Sequence, residues 1–353
     1  LHGGDIATTQ QQQSPCILKT WVKKSRPSED RETWLSTQLQ LLKMERHPNI
    51  LLPRRILQEE TSFHVEFDAV VVGSSLLHVV LNEPSMTERQ LRHITRELLE
   101  GLGHLHDHGL AHKDVKPENV MLEWFQAERY LKTGRRPPDA WLSVKQGVQQ
   151  WQQTAYFRSS WMRHDIPRHV RIIDLDTVGP GTSRLVCGSP GYMAPEAYLG
   201  YAGPFSDLFS VGVILYLLVK CEAPVHDAVS GVLGNKTLEE STLALRKKVS
   251  VVVSACVNNI DWDDHPWAEL SSAADLCAML LQADHSQRGK RASLIVGTHP
   301  WLQRTGQGGK EDGEQDAASA VDAVDAGAAA VVEEDRTEDV PASRATDEKQ
   351  GGV

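Results

Sequence analysis

His112-Lys113-Asp114-Val115-Lys116-Pro117-Glu118-Asn119 places an imidazole, two ammonium groups, two carboxylates and an amide within one octapeptide. Immediately before it, Leu91, Ile94, Leu98, Leu99, Leu102 and Leu105 recur at spacings of mostly three and four. That is the signature of one apolar helix face. The helix ends near Gly109 and delivers the chain directly into the polar stretch. Taken alone, a polar segment after a helix reads equally well as a solvated turn. Its companions decide the matter. Arg171-Ile172-Ile173-Asp174-Leu175-Asp176 is an apolar strand ending in an acid, and Cys187-Gly188-Ser189-Pro190-Gly191-Tyr192-Met193-Ala194-Pro195-Glu196 follows it.

The surrounding chain sets the bounds. It has 353 residues, 40% hydrophobic and 24% charged, ordinary globular usage that excludes wholesale disorder, collagen-like repeats and a disulfide scaffold. The longest apolar stretch, 208–219, is well short of the roughly 18 residues that cross a bilayer, so no membrane span is expected. It reads as a buried helix, and 271–281 as another. Cys16, Cys187, Cys221, Cys256 and Cys277 are scattered without a CxxC pair, which fits a reducing, cytoplasmic setting rather than a zinc site. The chain opens on Leu1 and reads as a fragment, so targeting is not legible and secretion stays open.

Towards the amino terminus, the apolar piece 16–22 reads as a strand, 29–45 as a helix with Trp34, Leu35, Leu39, Leu41, Leu42 and Met44 on one side, and 50–57 and 63–72 as strands. In order and spacing the chain resembles a eukaryotic protein kinase of the serine/threonine type over residues 15–302. The resemblance rests on Ile17-Leu18-Lys19 for the strand lysine, His47-Pro48-Asn49-Ile50 after the helix, the octapeptide as catalytic loop, Asp174 at the D-F-G position and Ala194-Pro195-Glu196 as the A-P-E box. Ser206-Asp207 before Phe209-Ser210-Val211-Gly212-Val213, Asp284 with Arg288, and His299-Pro300-Trp301-Leu302 are similar to the family's later landmarks.

The resemblance implies an α+β, two-lobed kinase-like fold. A small β-rich lobe over 15–80 is incomplete at its start, with 1–14 a remnant of the phosphate-loop region, and a larger helical lobe spans 81–302. It also implies ATP-dependent phosphoryl transfer to Ser or Thr of a protein substrate, with ATP and Mg²⁺ as cofactors. Asp114 would be the base, typically a contribution of about 10²–10⁴-fold, and Lys116 would meet the transferring phosphate. Lys19 would hold ATP phosphates, Gln38 would stand where the family pairs that lysine with a glutamate, and Asn119 and Asp174 would ligate Mg²⁺. Ser189 would contact Asp114 and Lys116, Glu196 would pair with Arg288, and Asp207 would hold the loop backbone.

Several positions depart from the pattern. Gln38 cannot form the charge-assisted pair with Lys19, and Glu32 points away around the helix. Asp176 replaces the D-F-G glycine, which is expected to disfavour the backbone conformation needed there. Only Gly3 and Gly4 precede Lys19 where a glycine-rich loop belongs, Lys113 replaces the loop arginine, and Leu185 occupies the usual phosphosite, with Thr182 and Ser183 nearby. Lys19, Asp114, Lys116, Asn119 and Asp174 favour catalysis. Gln38 and Asp176 favour the alternative, a pseudokinase acting as a scaffold or allosteric binding module.

Two segments stand outside the pattern. Residues 124–170 form an insert with four tryptophans and eight basic against three acidic residues. It reads either as a surface loop packing locally or as a docking surface for an acidic or phosphorylated partner; no nucleic-acid fold accompanies it, so nucleic acid is not expected. Residues 303–353 carry thirteen acids against five bases and no aromatic residue, the composition of a disordered acidic tail.

Overall fold

The computed structural model describes residues 16–23, 28–68, 73–82, 86–123, 169–181, 186–288 and 291–303. The segment 1–14, the insert up to residue 168, Thr182, Ser183 and Leu185, and the tail from 304 lie outside the described residues. No described helix is long and apolar enough to cross a membrane.

Strand β1 (Cys16–Val22), helix α1 (Ser28–Lys43), β2 (Pro53–Gln58) and β3 (Ser62–Asp68) build the small lobe. Its sheet is antiparallel with order β1-β3-β2, and Lys19 lies opposite Val65. Trp34 of α1 packs on Phe63 and Val65, with Trp21 joining from β1. The buried stripe of α1 is Trp34, Thr37, Gln38, Leu41 and Met44, whereas Leu39 is 41% exposed. This corrects the expected apolar face: two polar residues occupy positions that the sheet and the large lobe cover.

Helix α2 (Leu76–Asn82) follows the short strand β4 (Gly73–Ser75), and β4 pairs with β6 (Val120–Glu123) in the order β4-β6-β7, where β7 is His169–Ile172. Residues 73–75, expected in the small lobe, therefore pair with β6, expected in the large one. The end of the insert, His169 and Val170, is likewise part of β7. Helix α3 (Glu88–Asp107) begins at a capping box in which Thr87 and Gln90 satisfy each other's backbone and side chain. Leu91, Ile94, Leu98, Leu99, Leu102 and Leu105 are all buried, each worth about 1.5–3 kcal/mol. Beyond α3 come β5 (Leu110–Ala111), which pairs with β8 (Gly179–Pro180), and then α4 (Pro204–Lys220), α5 (His226–Leu233), α6 (Leu243–Asn258), α7 (Ser271–Leu280), α8 (Ala292–Thr298) and α9 (Pro300–Gln303).

Helix α4 is buried on nearly every side. A Cβ at its Gly212 would sit 2.9 Å from Leu280 Cβ, so glycine is what lets α4 and α7 touch. The segment expected to start a strand at Ile50 instead bridges in parallel to Ile172 of β7. Leu51 donates its N–H to Ile172 O at 2.9 Å and Ile172 donates to Asn49 O at 2.8 Å. Asn49 adds side-chain bonds to Glu97 (2.8 Å) and Val170 O (2.9 Å). A Cβ on Gly101 of α3 would meet Asn49 O at 3.0 Å. The link after α1 is thus fixed to the large lobe.

Candidate active site

Three backbone pairings bring the polar residues together. Strand β5 leads straight into His112, and β6 leaves Asn119. Because Val120 lies opposite Ile172 in the antiparallel β6–β7 pair, Asn119 and Asp174 emerge at the same end. Ile173 donates its N–H to Asn119 O at 2.9 Å.

Asp207, buried at the start of α4, fixes the loop. It accepts from the backbone of His112 and of Lys113, both at 2.8 Å, and from His106 Nε2 at 2.9 Å. Those bonds hold Lys113 in the left-handed region at φ 68°, where a non-glycine residue is disfavoured. Burial keeps the Lys113 ammonium below the ordinary lysine pKa, against opposing attraction from Cys187 and Asp207. His112 Nε2 donates to Ile173 O at 3.1 Å and Thr177 donates its hydroxyl to His112 O at 2.8 Å, tying the loop to the segment around Asp174.

On this frame Asp114, Lys116, Ser189 and Asn119 form one network. Lys116 Nζ donates to Ser189 Oγ at 2.7 Å, Ser189 donates to Asp114 Oδ1 at 2.8 Å, and Lys116 lies 3.1 Å from Asp114 Oδ2. Asn119 turns its amide N–H to Asp114 O at 2.9 Å, which leaves its oxygen for other partners. Below the network, Arg288 is 0% exposed and pairs bidentately with Glu196, at 2.7 Å for Nη2. It also donates to Gln282 O, Phe205 O and Ala283 O.

The small lobe contributes Lys19. Its ammonium meets Asp174 at 2.7 Å and also Asp176. Burial alone would lower the lysine's pKa, but the bonds to the two carboxylates outweigh it and leave Lys19 above its ordinary value. The two acids move in opposite directions. Burial pushes Asp176 up, and Asp174 beside it adds to this, to about 7. Asp174 is held below its usual range by its bonds to Asp176 and Lys19, against the upward pull of burial. Adjacent carboxylates that cannot both ionise freely behave this way.

Gln38 does not reach toward nucleotide phosphates by way of Lys19, as its motif position suggested. Only 1% exposed, it donates from Nε2 to Leu175 O at 3.1 Å, because the carbonyl between the two aspartates is the acceptor that its buried amide faces. Nor does Asp176 adopt a glycine-like backbone. Among the described residues the non-glycine positive φ angles belong to Lys113, Asp174 (φ 62°) and Cys221. Sequence reasoning missed His106, Asn49 and Glu97 as parts of this frame; the capped helix register that aims His106 at Asp207 was the available signal.

Residues 6–302 match the protein kinase domain family. Curated relatives include CBL-interacting serine/threonine-protein kinase 1 of Arabidopsis thaliana, 29% identical across 57% of this chain and 38% of that protein. Calcium-dependent protein kinase 8 of the same plant is 27% identical across 85% of this chain and 45% of its own length. MAP kinase-interacting serine/threonine-protein kinase 2 of Xenopus laevis is 25% identical, across 80% and 55%. The chain thus spans about half the length or less of these relatives. With the match running from residue 6 to 302, the chain belongs to the protein kinase domain family.

Proposed function

We propose that this protein is a serine/threonine kinase, transferring the γ-phosphoryl group of ATP to a Ser or Thr hydroxyl of a protein substrate. The observation that carries the reading is the Asp114–Lys116–Ser189 network, an ammonium 3.1 Å from a carboxylate with a hydroxyl bonded to both. Asp114 orients the incoming hydroxyl and takes its proton as the oxygen–phosphorus bond forms and the bond to the departing ADP oxygen breaks. Lys116 sets its positive charge beside the transferring group. Lys19 serves the α and β phosphates.

Among the described residues no three His, Cys, Asp or Glu side chains gather around a metal position. The protein donors reduce to the Asp174 carboxylate and the Asn119 amide oxygen, which fits Mg²⁺, a cation that keeps water and phosphate oxygens as its other ligands. Bound there, Mg²⁺ would neutralise phosphate charge. The second reading, a pseudokinase scaffold, is favoured by one observation: the carboxylate assigned to the metal is already paired with Lys19.

Transfer of labelled phosphate to a Ser/Thr substrate tests the proposal in the full-length protein. Asp114→Asn is expected to lower the rate at least about 100-fold while leaving ATP affinity within about threefold. Equal transfer by wild type and variant would point to a contaminating enzyme. ATP binding without transfer by either would favour the scaffold.

A further inference from the structure

Lys19, Gln38 and the tripeptide Asp174-Leu175-Asp176 make a closed arrangement that neither the motif order nor the catalytic network explains. The lysine touches both carboxylates, and the α1 side chain at the lysine-pairing position binds the carbonyl between them. We propose that Asp176 is the counterion that positions Lys19, doing within the tripeptide what a carboxylate on α1 would otherwise do, while Gln38 secures the tripeptide by its backbone. The inference rests on the ATP-site reading of Lys19 and deepens it.

Three features support it. Asp176 is the more enclosed of the two acids, with 19% of its side chain exposed against 39% for Asp174, so its contact with the lysine is the better shielded from water. The φ of Asp176 is not left-handed, so its backbone does not require glycine and the side chain is accommodated without strain. Gln38 is a donor in a buried setting, and a glutamate there would set a carboxylate against the Leu175 carbonyl and add a third negative group beside Asp174 and Asp176. Glutamine on α1 and aspartate at 176 are therefore complementary. The carboxylate beside the lysine stands in the tripeptide and not on the helix. Lys19 then takes its position from Asp176 and is joined to α1 only through a neutral hydrogen bond.

The test compares wild type with Asp176→Gly, Asp176→Asn and the double variant Asp176→Gly/Gln38→Glu in the full-length protein. The ATP dissociation constant and the KM and kcat of transfer are measured. Separately, without nucleotide, the rate at which an N-hydroxysuccinimide ester acylates Lys19 is compared with that of the exposed Lys236 by peptide mass spectrometry. Loss of the counterion is expected to raise relative labelling of Lys19 about threefold or more and to weaken ATP binding about tenfold, with a smaller change in kcat. Gln38→Glu in the glycine background restores both to within about twofold, which a merely structural role for Asp176 would not produce. Unchanged labelling in Asp176→Gly, or a loss that Gln38→Glu does not restore, overturns the proposal. The labelling arm decides the pairing even if wild type neither binds ATP nor transfers phosphate, an outcome that would remove the kinase reading instead.

Discussion

Two cation–carboxylate clusters of this molecule are built in opposite ways. Arg288 with Glu196 in the large lobe is bidentate, the arginine fully enclosed and surrounded by carbonyls that take up its remaining N–H groups. Lys19 with Asp174 and Asp176, at the junction of the small lobe and the cleft, keeps 37% of the lysine side chain exposed. The first is framework: one partner without the other would be a charge buried out of water. The second remains accessible to anions, and its carboxylates can exchange one partner for another. The catalytic loop belongs with the first region, since Asp207 fixes its backbone before any ligand arrives. The lysine belongs with the second.

The contrast is most easily broken at Arg288. Arg288→Met should cost about 3–5 kcal/mol in denaturant unfolding, because the largely enclosed Glu196 loses its charged partner and keeps the Ser206 hydroxyl, and adding Glu196→Gln should recover part of that loss. An effect under about 1 kcal/mol would show that the large-lobe pair is not framework. Asn49→Ala should cost about 2 kcal/mol, since one truncation removes two bonds and strips Glu97 and the Val170 carbonyl of a buried donor. The same unfolding measurement checks it. Lys19→Met sits at the other end: less than about 1 kcal/mol of stability, as for other partly exposed pairs, but about tenfold or more in ATP affinity by titration. A large stability loss there would erase the distinction between the two regions.

What the sequence made legible was local or carried by ordered motifs. Strand β1 and helix α3 lie where the apolar piece 16–22 and the leucine stripe put them, and Asp207, Glu196 and Arg288 sit against the groups their positions suggested. The illegible parts depend on contacts between distant segments. Nothing in Gly73-Ser74-Ser75 announces a partner at Met121-Leu122-Glu123. The apolarity of Ile50-Leu51-Leu52 suggested a sheet strand, because burial against β7 and burial within a sheet leave the same pattern. In α1 a helix-face count favoured Leu39 over Thr37 and Gln38, since propensity and hydrophobicity do not reveal which polar side chain will find a buried acceptor. Gln38 and Asp176 looked like two independent defects when read singly. Side by side, they meet at one tripeptide, Gln38 at the Leu175 carbonyl and Asp176 at the lysine.

The anchoring of Asn49 and Leu51 to β7 also has a mechanical reading. Helix α1 ends just before this fixed point and β2 starts just after it, so both elements leave the large lobe from the same fulcrum. Among the described strands, in the order β1-β3-β2, the one carrying Lys19 lies at the edge away from β2. Strands about 4.8 Å apart put it roughly 10 Å beyond β2. Any tilt of the small lobe about this point would therefore be smallest at the fulcrum and largest at β1, where it would change the gap between the Lys19 ammonium and its two carboxylates.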